Sequence, residues 1–132
     1  YILSKKFECI ASVAHPFGYS LRIGVRGVFE KHEKDLGKFD FFEVMNGGNS
    51  RSHNQKALSY AIKNKKLFTA GSDGHSIYSL GKIVVCSKGR NLGEFLDNVK
   101  KGKVSIKGEE ASLGKIGEYG RYAVNKLKNI LK

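Results

Sequence analysis

Asp73 and His75 stand one residue apart in the stretch Thr69-Ala70-Gly71-Ser72-Asp73-Gly74-His75, directly after the apolar pair Leu67-Phe68. A carboxylate oxygen and an imidazole nitrogen so placed suit zinc, manganese or iron. The glycines at 71 and 74 let the backbone bend tightly and keep bulk away from whatever binds there. An isolated Asp-x-His is common in loops, where the aspartate more often serves an Asx turn. Two further polar groups in the chain raise this one above that reading. His15 follows the mostly apolar run Cys9-Ile10-Ala11-Ser12-Val13-Ala14 and precedes Pro16, which is expected to hold its backbone extended. Asn46 ends the run Phe39-Asp40-Phe41-Phe42-Glu43-Val44-Met45, and Glu43 inside that run is an unusual carboxylate for a buried strand.

The elements that must position these groups follow from periodicity. Residues 9–14, 39–45 and 67–70 read as buried strands, and 83–86 and 104–106 as two further short ones. Helices are expected over 21–36, interrupted by Gly24 and Gly27, over 54–65 with Ala57, Leu58, Ala61 and Ile62 on one face, and over 91–101 with Leu92, Phe95, Leu96 and Val99. Asn54 or Ser52 is a candidate cap for the second helix. His32 is expected on a solvated helix face and His53 in a surface loop. A basic amphipathic helix is expected from about residue 112 to the end, carrying Lys115, Arg121, Lys126, Lys128 and Lys132. Strand, loop and helix thus repeat at least three times, which argues for an α/β fold with a parallel sheet or barrel. Such folds gather functional groups beyond the carboxyl ends of their strands, which is where His15, Asn46 and the Asp73/His75 loop fall.

The ordered series Ala14-His15-Pro16-Phe17, Phe42-Glu43-Val44-Met45-Asn46-Gly47, Asn54-Gln55-Lys56-Ala57 and Gly71-Ser72-Asp73-Gly74-His75 with Leu80-Gly81 resembles the carboxy-terminal half of a PHP domain. This is the polymerase and histidinol phosphatase family of metal-dependent phosphoesterases. The resemblance runs from about residue 9 to residue 86, and residues 92–102 resemble the helix that often follows. It implies a distorted (β/α)7 TIM-like barrel, of which residues 1–90 would form the carboxy-terminal half. Residues 91–132 would add a helix, a short strand and the basic helix to the same unit. It also implies two or three divalent ions (Mn, Zn or Fe) at the carboxyl rim, with His15, Asp73 and His75 as metal ligands. Glu43, Asn46 and Asn54 match recurrent positions that support the rim or contact substrate. Glu43 has the alternative of pairing with a lysine inside the barrel, and Asn54 that of capping its helix. The family's opening His-x-His motif is absent, since the histidines are His15, His32, His53 and His75. The expectation is therefore that an amino-terminal half of the site is supplied by a longer protein or by a partner chain.

The function so implied is hydrolysis of a phosphoric ester by a metal-activated water, on a phosphorylated small molecule or a nucleic acid. Twenty-four basic and 12 acidic residues give a net charge of +12 across 132 residues, which suits an anionic partner. The rival from another class is a non-catalytic, basic nucleic-acid-binding module, with the terminal lysines on phosphates and Tyr119 and Tyr122 able to stack on bases. A third reading leaves His15, Asp73 and His75 as hydrogen-bonded loop residues without metal. No apolar run approaches the ~18 residues that a membrane helix needs. Cys9 and Cys86, both in apolar runs, are expected to be buried, reduced thiols of a cytoplasmic protein.

Overall fold

The computed structural model describes residues 1–7, 9–18 and 28–109. The elements are α1 (Ile2–Lys6), β1 (Ser12–Val13), α2 (Val28–Leu36), β2 (Phe41–Asn46), α3 (Arg51–Lys63), β3 (Leu67–Gly71), β4 (Ile83–Cys86), α4 (Leu92–Lys100) and β5 (Ser105–Gly108). The first part of the helix expected over 21–36 and the basic helix expected from residue 112 lie outside the described residues.

β1, β2 and β3 form a parallel sheet in that order, as the repeated strand–loop–helix pattern predicts. The fourth strand leaves the pattern: β4 pairs antiparallel with β5 in a separate two-stranded ribbon. The fold is mixed α/β, and among the described residues the strands do not close into a barrel. β1 is shorter than the run Cys9–Ala14 suggested, and the Cys9 N–H at the start of that run donates instead to the Ser4 carbonyl in α1. Cys9 is exposed and Cys86 half-buried, so neither is the buried thiol expected, although both are free.

The two faces of the parallel sheet differ. Val13, Phe42 and Phe68 share a register row and Val44 follows on the same side, where α2 and α3 cover them. Phe42 is wholly buried beneath Phe29 and Tyr60, with ring centroids 5.6 and 5.2 Å away. Tyr60 and Phe29 meet edge to face at 4.7 Å, an arrangement that satisfies the ring quadrupoles. Burial raises the Tyr60 phenol above its ordinary pKa, and the nearby Glu33 carboxylate adds to this. α3 meets the sheet through Asn54, Ala57 and Ala61, while Leu58 and Ile62 are exposed, contrary to the broader apolar face expected. Small side chains on that stripe let the helix axis approach the strands.

On the opposite face, the hydroxyls of Ser12 and Thr69 hydrogen-bond directly. They belong to β1 and β3, which would stand roughly 10 Å apart across a flat sheet with strands about 4.8 Å apart. The sheet is therefore strongly curved, concave towards Ser12, Glu43 and Thr69 and convex towards the helices.

α4 is positioned by its amino end. Asn91 Oδ1 accepts the Glu94 N–H at 2.9 Å, and Glu94 Oε2 accepts the Arg90 N–H at 2.8 Å, a reciprocal cap. Asn91→Ala is expected to cost about 1 kcal/mol in a urea titration followed by circular dichroism. An unchanged midpoint would mean that packing, not the cap, holds this end. At the other end Gly102 (φ +67°) turns the chain, and its Cα faces the Leu67 side chain closely. Phe95 is half-buried and Val99 buried, while Leu92 and Leu96 remain exposed.

Candidate active site at the carboxyl rim of the parallel sheet

Each of the three parallel strands runs into a polar loop at the same end. After β1, His15 adopts φ +31° rather than the extended backbone expected before Pro16. Two hydrogen bonds hold it there: its N–H donates to Glu43 Oε2 at 2.7 Å, and its carbonyl accepts the Gly18 N–H at 2.8 Å. A non-glycine residue at positive φ is costly, and such positions cluster at functional sites.

Glu43 is half-buried on the concave face. Its partners are the His15 N–H and the Asn46 Nδ2, at 2.7 and 2.9 Å, and not the lysine that the sequence suggested. Residues three apart on a regular strand point to opposite faces. Here the register shifts between Glu43 and Met45, leaving Val44 as an extra residue, and this bulge turns Asn46 back towards the Glu43 carboxylate. The carboxylate thereby ties the β1 loop to the end of β2.

Asn46 is buried, and its whole amide is engaged within the chain: Oδ1 accepts the Gly48 N–H at 2.8 Å while Nδ2 donates to Glu43. Its backbone is held by Asn54, whose Oδ1 accepts the Asn46 N–H and whose Nδ2 donates to the Asn46 carbonyl, both at 3.1 Å. Asn54 thus imitates a neighbouring strand for one residue. It does not cap α3; the N-cap is Ser50, so the helix starts three residues earlier than expected and includes His53, which the sequence placed in a loop. His53 Nδ1 lies 3.0 Å from Ser50 Oγ.

The β2–α3 loop then fits against the loop after β3. Gly47 donates its N–H to the Gly71 carbonyl at 2.9 Å, and a Cβ at Gly47 would lie 2.5 Å from the Ser72 carbonyl oxygen, so only glycine fits. Asp73 follows at φ +46°, with Oδ2 over Gly48 and Oδ1 3.6 Å from His75 Nε2. Both side chains are accessible, 37% exposed for Asp73 and 51% for His75. The Ser72 hydroxyl bridges to β4 by donating to the Ile83 carbonyl and accepting its N–H, which fixes the base of the loop.

The rim is therefore continuous from His15 through Glu43, Asn46 and Gly48 to Asp73 and His75. Two ligand atoms held about 2.1 Å from one tetrahedral ion lie roughly 3.4 Å apart, so the 3.6 Å pair fits two positions of such a sphere. Among the described residues no three His, Cys, Asp or Glu side chains come together as a metal-binding group. The donors present thus fit part of a coordination sphere and do not complete one. Sequence reasoning missed the Ser72 bridge and the Ser12–Thr69 contact, because serine and threonine carry no positional signal. The close approach at Gly47 was signalled by the Gly-Gly pair after the strand.

Residues 51–104 match the model of a family described as PHP-associated. This stretch is PHP-related. It contains α3, β3, the Asp73/His75 loop, β4 and α4, under half of the 132 residues. His15, Glu43 and Asn46 precede the PHP-associated match and are joined to it by the hydrogen bonds just described. No curated protein and no solved structure matches the chain. No helix among the described residues is long and apolar enough to cross a membrane.

Proposed function

We propose that this chain supplies the carboxy-terminal share of a metal-dependent phosphoesterase site, built on part of a distorted (β/α)7 TIM-like barrel. The observation that carries the proposal is the Asp73–His75 pair, 3.6 Å apart at the carboxyl end of a parallel strand and inside the PHP-related stretch. The strong curvature of the sheet, with helices on its convex side, supports a barrel segment.

Asp73 Oδ1 and His75 Nε2 would hold a divalent ion (Mn, Zn or Fe), and His15 would add a ligand from the adjoining loop. Ions so held lower the pKa of a coordinated water and offset charge on phosphoryl oxygens. Glu43 fixes the His15 backbone, and Asn46, itself locked by Asn54, keeps the Glu43 carboxylate from rotating. Gly48, having no side chain, leaves the space beside Asp73 Oδ2 clear for substrate. The remaining ligands would come from a preceding segment or a partner chain. The net charge of +12 favours an anionic substrate, whether a phosphorylated small molecule or a nucleic acid.

The experiment is metal analysis of the purified chain after reconstitution with manganese, zinc or iron, beside Asp73→Asn. Bound metal in the wild type and its loss in the variant are expected. A variant that retains as much metal as the wild type overturns the assignment.

A further inference from the structure

A second surface lies at the other end of the parallel sheet, about 16 Å from the rim at the usual rise per strand residue. α3 ends at Lys63, and the chain turns through Lys65 (φ +52°) before entering β3 at Leu67. α4 ends at Lys100, and Lys101 and Lys103 flank Gly102. Gly102 packs on the Leu67 side chain, its added Cβ falling 3.0 Å from Leu67 Cδ2. Two segments more than thirty residues apart in sequence therefore bring five exposed lysines, Lys63, Lys65, Lys100, Lys101 and Lys103, to one place.

Lysines at helix ends ordinarily serve the helix dipole, and one per terminus suffices for that. Here the last-turn carbonyls are already met by backbone N–H groups: Lys65 to Ile62, Lys66 to Ala61, Gly102 to Val99 and Lys103 to Asn98. The Lys66 ammonium is spent on the Gly37 carbonyl. Among the described residues, Asp97 lies one helical turn before Lys101 on α4, and Asp40, whose carbonyl accepts the Leu67 N–H, is ion-paired with Lys5 at 2.6 Å; the neighbouring Lys38 and Asp35 pair with each other. The patch is strongly positive. Among the described residues, the two turns themselves (63–67 and 100–103) carry no aromatic side chain on which a base could stack, and Ile62 beside them is an exposed apolar residue.

We infer that this face binds the phosphate backbone of a nucleic acid, without reading its sequence. A spread of point charges matches a train of phosphates better than a single small anion, and backbone contacts of this kind carry no base information. The face is separate from the Asp73–His75 rim and does not depend on a reaction there.

The test is fluorescence anisotropy with a labelled random-sequence single-stranded DNA across a salt series. It compares the wild type, the triple variant Lys65→Gln/Lys101→Gln/Lys103→Gln, and an equal-charge control, Lys31→Gln/Lys34→Gln/Lys56→Gln. The patch variant is expected to bind at least tenfold more weakly, with its log affinity–log salt slope reduced by about 2. The control should stay close to wild type, and thermal melts should show all three folded. Equal loss in both triples, loss in neither, or no binding by the wild type overturns the inference. So does wild-type binding to phosphatidylserine vesicles with none to DNA.

Discussion

Asn54→Leu will destabilise the chain by about 2–4 kcal/mol, although leucine keeps the branched, four-heavy-atom skeleton of asparagine. The side chain is buried, and hydrogen bonds from its amide satisfy the N–H and the carbonyl of Asn46, which is itself buried. Removing them strands both backbone groups away from water, at about 1–3 kcal/mol each before relaxation. Asn54→Asp keeps the acceptor for the Asn46 N–H and loses the donor to its carbonyl, so it should fall between. Urea denaturation measures both, and amide exchange at Asn46 and Gly48 should accelerate in the leucine variant. If the rim binds metal, the same change should also weaken that binding, because Asn54 holds Asn46, which in turn holds the Glu43 carboxylate that fixes the His15 backbone. A leucine variant as stable as wild type would show that the pairing contributes nothing.

Phe42→Ala is the companion case in the core and should cost about 3–5 kcal/mol. The ring is wholly buried on the convex face, with Phe29 edge-on and Tyr60 tilted against it. Truncation leaves a cavity among aromatic rings that α3 cannot close, because Ala57 and Ala61 already bring it near the sheet. Domains of this kind hold about 5–15 kcal/mol in total, so roughly a fifth or more would vanish and the thermal transition should broaden and shift down. Ile62→Ala, on the exposed side of the same helix, should stay within about 0.5 kcal/mol and serves as the contrast. Comparable losses in the two variants would mean that the core lies elsewhere.

The parallel arrangement was legible because apolar runs and loops alternate cleanly from residue 9 to residue 71. The same alternation placed His15, Asn46, Asp73 and His75 at strand ends, and the structure brings those ends together on one rim. Less was readable where a contact depends on local irregularity. The bulge at Val44 carries no glycine or proline to announce it, yet it decides what Glu43 touches. Asn54 reaches Asn46 only because the intervening loop is tight, so its pairing has no one-dimensional signature. α1 buries none of its residues, and its five-residue length offers no apolar period to detect. In α3 the helical period admits two adjacent stripes, 57/61 and 58/62. Close packing on the strands selects the alanines and leaves the larger residues outside. β4 has the apolar content of a buried parallel strand, and only its partner β5 shows that the direction reverses.

Strand order along the parallel sheet follows chain order, and this sets a timetable for a chain still being synthesised. Growth proceeds at one edge: β2 docks on β1, and β3 then docks on β2. A nascent chain that has emerged from the ribosome only as far as Lys66 displays the Phe41–Asn46 backbone as a naked edge, a template for mispairing with other chains. The next five residues, Leu67–Gly71, cover that edge and deliver Asp73 and His75 to a rim already shaped by Glu43. A pause in synthesis that leaves β2 outside the ribosome while β3 is still within it would therefore trade a correctly assembled rim for an aggregation-prone intermediate.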